Sequence, residues 1–450
     1  MSFSHNDIPV LDDGFANQNF IEEICSLISN CTPPKGIGLN GYWGTGKTSA
    51  LLQVYYHLTG EYPYGDKPAG LAPATNPDPT LKPVWFEAWR YQHEPFPIVA
   101  LLQEIRSRMD VWGKLRQGAE KLSEVTILGV LSTFDEVVKA ASGGVVKPEL
   151  GKLKSIGQTY EQEHYQHLSS GQAIRKLLQQ AIKEVFGGDH SKLVIFIDDL
   201  DRCEPETALR LMEGIKVYLN LNNCVVLFGM DQRQVERALG KALALPSESA
   251  AHHAREYLEK ICQDIIHLPL PGVEKKSVYL NSLLAALFEK DKAPLLVGNI
   301  KQITDSYDCL PANPRKIKVL ANHLAGRLRK LPHAGINETF KTQEGTELNR
   351  DAAVCCLVAI LYCFHREVYE QLHQNPAYIR TLKEWAVSSS DLKTLREDRN
   401  YKPMEGLIPA REAKEEVPVN PSDSNVFRLH QLLQDLEQIT DLELNPFLFL

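Results

Sequence analysis

One octapeptide constrains this chain more than any other segment. Gly41-Tyr42-Trp43-Gly44-Thr45-Gly46-Lys47-Thr48 satisfies G-x-x-x-x-G-K-[ST] at every fixed position. Residues 36–39 before it read as a short strand, and residues 47–58 after it as a helix. A Gly-rich turn between a strand and a helix aims its backbone N–H groups inward as an anion nest. The helix N-terminus adds partial positive charge at the same point. Lys47 brings a full charge for the β- and γ-phosphates of a nucleotide, and the Thr48 hydroxyl is a ligand for Mg²⁺. Trp43, Thr45 and Ser49 belong to the same phosphate-wrapping stretch.

A second anchor lies downstream. Leu193-Val194-Ile195-Phe196-Ile197 is a continuous apolar run, the pattern of a parallel strand covered on both faces, and it ends in Asp198-Asp199. Open α/β sheets bind ligands beyond the carboxyl ends of their strands. Asp198 is therefore read as a carboxylate on the Mg²⁺ shell, and Asp199 as the group that orients or activates the attacking water. Neighbouring strand residues point opposite ways, so the division of labour between them stays open. Asp201 reads as a local ion pair or a polar contact to a neighbouring subunit. Arg202 reads either as a structural pair or as a finger reaching another subunit.

Around these anchors the chain alternates strand and helix: strands at 84–88 and 224–229, helices at 98–109 and 205–219. That alternation predicts an α/β fold with a parallel sheet. Residues 60–83, rich in Pro and Gly, read as a long surface loop, and 172–186 as an amphipathic helix. After residue 270 the strands disappear and helices are expected. Asn313 is positioned to cap one of them, with Pro314 at its first position and Ile317, Leu320, Leu324 and Leu328 on one apolar face. The expected division is a nucleotide-binding core at 1–270 with a helical insertion at about 105–170, and a helical lid at 271–335. A helical C-terminal region at 336–450 follows, with a flexible linker at about 388–425.

Two further positions carry chemistry. Asp231 ends the 224–229 strand, where a polar residue senses the γ-phosphate or water; it is equally placed as a helix N-cap, and both roles are compatible. Arg315 sits in the first turn of its helix, where the dipole opposes a cation, so a specific anionic partner is expected. Lys316, Lys318, Arg327, Arg329 and Lys330 make that helix basic, read as a solvated face or a nucleic-acid contact. Phe15 and Phe20 are candidates for contact with a base. The apolar 444–450 end reads as a segment that docks on the domain or on a partner.

The net charge of −8 argues against nucleic-acid binding by the whole surface. Nine cysteines without metal-ligand spacing read as small buried hydrophobes in a reducing cytoplasm. Residues 1–13 are polar and acidic, unlike a signal peptide, and no run reaches the roughly 18 apolar residues of a membrane span. The expectation is a cytoplasmic protein.

Taken together, several motifs resemble the KAP family of P-loop NTPases. They are the octapeptide at 41–48, Trp85-Phe86-Glu87-Ala88-Trp89-Arg90-Tyr91, Ile197-Asp198-Asp199-Leu200-Asp201-Arg202-Cys203, Phe228-Gly229-Met230-Asp231, Tyr257-Leu258-Glu259-Lys260-Ile261 and Asn313-Pro314-Arg315-Lys316-Ile317-Lys318. The resemblance spans roughly residues 10–330. It implies an additional-strand NTPase core with a helical lid, ATP as the nucleotide, and Arg315 as the lid arginine that reaches the phosphates. Bacterial members often look like parts of anti-phage defence. Family members that span membranes usually do so between the two nucleotide motifs; here Lys47 and Asp198 are 151 positions apart (198 − 47) with no span between them. Glu87 departs from the family pattern, which more often has Asn. The expected activity is Mg²⁺-dependent ATP hydrolysis driving a conformational or assembly switch, in a homo-oligomer or with an effector protein. A nucleotide-gated scaffold and a P-loop kinase are the alternatives. No Asn-Lys-x-Asp guanine motif is present.

Overall fold

The computed structural model describes, apart from isolated positions, residues 17–68, 73–74, 77–120, 191–243, 247–288, 296–330, 339–388 and 429–436, with short stretches before residue 17 and at 447–448. The helix expected at 172–186, the linker at 388–425 and most of the 105–170 insertion lie outside the described residues. The order is α1 (Gln18–Asn30), β1 (Lys35–Asn40), α2 (Lys47–Thr59), β2 (Leu81–Glu87), α3 (Pro97–Glu120), β3 (Lys192–Asp198), α4 (Pro205–Tyr218), β4 (Cys224–Met230), α5 (Gln232–Ala242), α6 (Ser247–Ile261) and β5 (Asp264–His267). Then come α7 (Val273–Ala286), α8 (Leu296–Tyr307), α9 (Pro314–Lys330), β6 (Thr339–Lys341), β7 (Glu347–Asn349), α10 (Arg350–Phe364), α11 (Arg366–Gln374), α12 (Tyr378–Ser388) and α13 (Leu429–Asp435).

The first five strands form one parallel sheet in the order β2-β3-β4-β1-β5. β4 stands between the strand that leads into the Gly-rich loop and the strand that ends in Asp198, so the sheet carries an additional strand between the two anchors. Because side chains alternate along a strand, the apolar run of β3 feeds two cores. Val194 and Phe196 join Ile37, Leu227 and the apolar faces of α1 and α2. Leu193, Ile195 and Ile197 join Val226, Phe228 and helices α3 to α6. Each fully buried side chain of this kind contributes about 1.5–3 kcal/mol. Lys192, at the start of β3, reaches back to the C-terminus of α1 and donates to the carbonyls of Ser29 at 2.5 Å and Cys31 at 2.9 Å. That ammonium satisfies orphan carbonyls and complements the helix dipole.

Helices α7 to α13 share a third core. α10 is buried from Ala352 through Leu361, on all its faces. Helix surroundings of this kind explain its apolar composition. Cys355 and Cys356 sit inside it, and burial pushes the Cys355 thiol up to about 12. No single helix among the described residues is long and apolar enough to cross a membrane. The expectation of no strands after residue 270 is corrected by β6 and β7, an antiparallel pair of three residues each. Strands so short leave no alternation to read. The edge strand β5 escaped for the same reason, with four residues and partial exposure.

Within the apolar end, Phe447 and Leu448 dock on the helical unit. Both are buried in its core, the Phe447 carbonyl accepts from the Arg327 guanidinium, and Tyr369 Oη donates to the Leu448 carbonyl at 2.9 Å.

Candidate nucleotide site

At the carboxyl ends of β1, β2 and β3 lies a cleft of about 590 Å³. Its floor is the Gly-rich loop. Gly41 N–H donates to the Met230 carbonyl at 3.1 Å, tying the loop to the end of β4. Gly44 and Gly46 adopt φ of 80° and 100°, the left-handed region that side chains resist. Gly46 is the residue from which α2 starts, so Lys47, Thr48 and Ser49 form the helix's first turn. Gly44, Gly46, Lys47, Thr48 and Ser49 all line the cleft, with Trp43 at its rim. Thr45 turns inward instead, its hydroxyl donating to the Tyr42 carbonyl at 2.7 Å.

The acids come from two adjacent strand ends. Glu87 and Asp198 are register partners in β2 and β3, and both line the cleft. Asp199 lines it too, although it follows Asp198 directly. The reason is its backbone: Asp199 adopts φ 58°, ψ 27°, which breaks the strand's alternation. Asp is among the few non-Gly residues that visit this region readily. Its carboxylate pairs with Arg202 Nε at 2.9 Å. Glu87 is likewise paired with Arg90, three residues on, and accepts from Trp85 Nε1 at 3.4 Å and from the Tyr64 hydroxyl.

Asp198 is different. It is 2% exposed, accepts from the Thr48 hydroxyl, and its Oδ1 has no hydrogen-bond partner. Burial first, and the neighbouring Asp199 second, push its carboxyl up to about 7. A buried carboxylate oxygen without a donor is costly unless a cation meets it. Thr48 and Asp198 side by side at a phosphate loop therefore fit a Mg²⁺ ion. Among the described residues no three His, Cys, Asp or Glu side chains cluster as a metal site. A hard cation here would complete its oxygen shell with phosphates and water.

Lys47 does not point into empty space. Its Nζ lies 3.1 Å from Asp201 Oδ2 and 3.4 Å from the Tyr42 carbonyl. Asp201 Oδ2 also accepts the Asp231 N–H at 3.0 Å. Asp231 itself is buried and does not line the cleft; it caps α5 by accepting from the Arg233 N–H at 3.2 Å and pairs with the Arg233 guanidinium at 3.3 Å.

The opposite wall comes from the helical unit and from two segments outside the recognised motifs. Asn313 Nδ2 donates to the Trp43 carbonyl at 2.9 Å, and its Oδ1 accepts the Lys316 N–H at 3.2 Å, capping α9. Pro314, Arg315 and Lys318 line the cleft, and the Arg315 guanidinium stacks 4.7 Å over the Trp43 ring. Lys318 Nζ donates to the Ile8 carbonyl at 3.3 Å, holding Ile8 and Pro9 at the mouth. Tyr62 and Tyr64 contribute from the Pro- and Gly-rich loop. A pocket of about 80 Å³ adjoins the cleft through Gly46, Ser49 and Pro314, and Phe15 lines it against Tyr279 at 4.6 Å between ring centroids. Phe20 packs instead against the core beneath α2. Among the other cations of α9, Arg327 is buried, bonding His323 Nε2 at 2.9 Å, whereas Arg329 and Lys330 are exposed, Arg329 donating to the Leu287 carbonyl at 3.1 Å.

A parallel sheet with an additional strand, a Gly-rich loop opening a helix and an acidic strand end beside it define the P-loop NTPase fold. The chain matches the KAP family P-loop domain over residues 17–331, and it belongs to that family. It is also similar to the Phage T7 exclusion protein of Escherichia coli (strain K12), at 22% identity over 347 residues. That match covers 71% of this chain and 42% of the relative, so the chain spans less than half of that protein's length.

Proposed function

We propose that this chain binds ATP with Mg²⁺ in the cleft and hydrolyses it, using the cycle to switch the position of its helical unit. The observation that carries the reading is Asp198 Oδ1, buried and without a donor beside the Thr48 hydroxyl at the phosphate loop. Thr48 and Asp198 would hold the cation, which when bound would supply charge neutralisation for the phosphates. Lys47 and the N–H groups of the loop bind the β- and γ-phosphates. Arg315 reaches the γ-phosphate from the start of α9. Asp199 accepts the proton of the attacking water, whose oxygen bonds to the γ-phosphorus as the bridging bond to the β-phosphate breaks. The base occupies the small pocket beside Phe15. Asp231 anchors the β4–α5 corner.

Asn313 and Arg315 begin α9, and Arg327 near its other end holds the C-terminal segment. A shift of α9 on the γ-phosphate would therefore reach the helical unit as a rigid-body motion. The similarity to a phage exclusion protein supports a role in antiviral defence; another copy of this chain or an effector protein is the partner expected from the switch reading. Phosphate release from Mg·ATP, measured at several protein concentrations beside Asp199→Asn, tests the reading. Turnover lost in the variant supports it, and turnover rising per chain with concentration supports an assembling enzyme. Unchanged turnover in Asp199→Asn moves the proton acceptor to Glu87.

One observation favours a second reading, a nucleotide-gated scaffold with negligible turnover. Both acids nearest the cleft opening are tied to arginines, Asp199 to Arg202 and Glu87 to Arg90. Nucleotide binding without phosphate release at any concentration would select it.

A further inference from the structure

Asp201 occupies an unusual place for a carboxylate. It lies in the short turn Leu200–Arg202, three residues beyond the acid that faces the cation site. Its side chain is 5% exposed, and that of Lys47 is 9% exposed. The two meet at 3.1 Å. The same carboxylate oxygen accepts the backbone N–H of Asp231 at 3.0 Å, where β4 gives way to α5. The lysine of the phosphate loop thus already has a charged partner, and that partner is fastened to a different strand end.

We propose that Asp201 is a latch on the phosphate loop. It holds Lys47 while the cleft is empty and must release it when a nucleoside triphosphate binds. This rests on the nucleotide site proposed above and adds a residue that opposes binding. Two effects point the same way. In the empty site Asp201 stabilises the buried ammonium, and an ion pair of this kind is costly to break from one side. In the filled site Lys47 turns to the phosphates, and Asp201 remains as a buried negative charge close to a polyanion. Removing that charge raises the energy of the empty state and lowers that of the occupied one. The latch also links occupancy to the β4–α5 corner, because the oxygen that releases Lys47 is the one that bonds Asp231.

The test is nucleotide affinity in Asp201→Asn, which keeps an acceptor for the Asp231 amide. Mg·ATP and inorganic tripolyphosphate serve as probes, titrated into the full chain and followed by calorimetry. The latch requires that both bind about tenfold more tightly to Asp201→Asn than to wild type, about 1.4 kcal/mol. It also requires that the ligand-induced rise in melting temperature be larger in the variant. Asp201→Ser, which also removes the charge, provides the same comparison where Asp201→Asn fails to fold. A purely structural Asp201 would give weaker or equal binding in the variants, and either result overturns the latch. Wild-type protein that binds neither probe overturns the nucleotide site itself, and the latch with it. Binding to wild type without tightening in the variants overturns the latch alone.

Discussion

Asn313 bonds the carbonyl of Trp43 through one end of its amide and the N–H of Lys316 through the other. A single buried side chain therefore caps α9 and fastens it to the phosphate loop. Gly44 lies so close beneath it that a Cβ there would sit 2.7 Å from Asn313 Oδ1. Loop and lid are built as one contact.

Asn313→Ala removes a helix cap and leaves the Trp43 carbonyl without its donor. A cap is worth about 1 kcal/mol, and losing a half-buried hydrogen bond costs about 0.5–1.5 kcal/mol. Urea unfolding should show a loss in that range, and Mg·ATP should bind several-fold more weakly. Full stability with full affinity would mean that α9 and the loop hold each other by other contacts.

Asp198 gives the ligand-free protein a pH signature. Its carboxyl is raised from 3.8 to about 7, so the folded chain holds a proton that the unfolded chain has released between those values. Stability from this group is fully present below the unfolded pKa and is lost as pH rises through about 7, on the order of a few kcal/mol in all. Asp198→Asn should therefore gain melting temperature relative to wild type between pH 5 and pH 8. The difference between variant and wild type is the readout, because His323 and His365 work in the opposite direction. Burial lowers both to about 4, so they cost stability as pH falls below 6.5. A difference that stays flat with pH would refute the raised carboxyl.

Much of this site is legible in the sequence because it is local. The octapeptide specifies its own turn, five apolar residues specify β3, and Asn313-Pro314 marks the start of α9. What was not legible depends on tertiary contact or on a single backbone angle. The left-handed conformation of Asp199 brings two adjacent acids into one cleft, and no pattern of residue types announces it. Asp201 reads as a local pair until the fold carries Lys47 to it from a position 154 residues earlier (201 − 47). Tyr62 and Tyr64 sit in a stretch whose Pro and Gly content signals only a loop. Among the α9 cations, spacing alone could not separate Arg315, which faces the cleft, from Arg327, which is buried behind it.

Phe447→Ala tests whether the C-terminal segment is part of the helical core. The ring is 5% exposed, and truncating a buried Phe costs about 3–5 kcal/mol. The variant should unfold at clearly lower urea, while a phosphate loop some distance away keeps its nucleotide affinity. An unchanged unfolding midpoint would detach the segment from the core.

The most direct measurement is a calorimetric titration of Mg·ATP into wild-type protein and Lys47→Ala. Saturable binding to wild type, weakened about 100-fold or more in the variant, is the expected result, since a charged donor to phosphate contributes up to about 3 kcal/mol per bond. Equal affinity in the two proteins, or no binding to wild type, would contradict the assignment of this cleft as a nucleotide site.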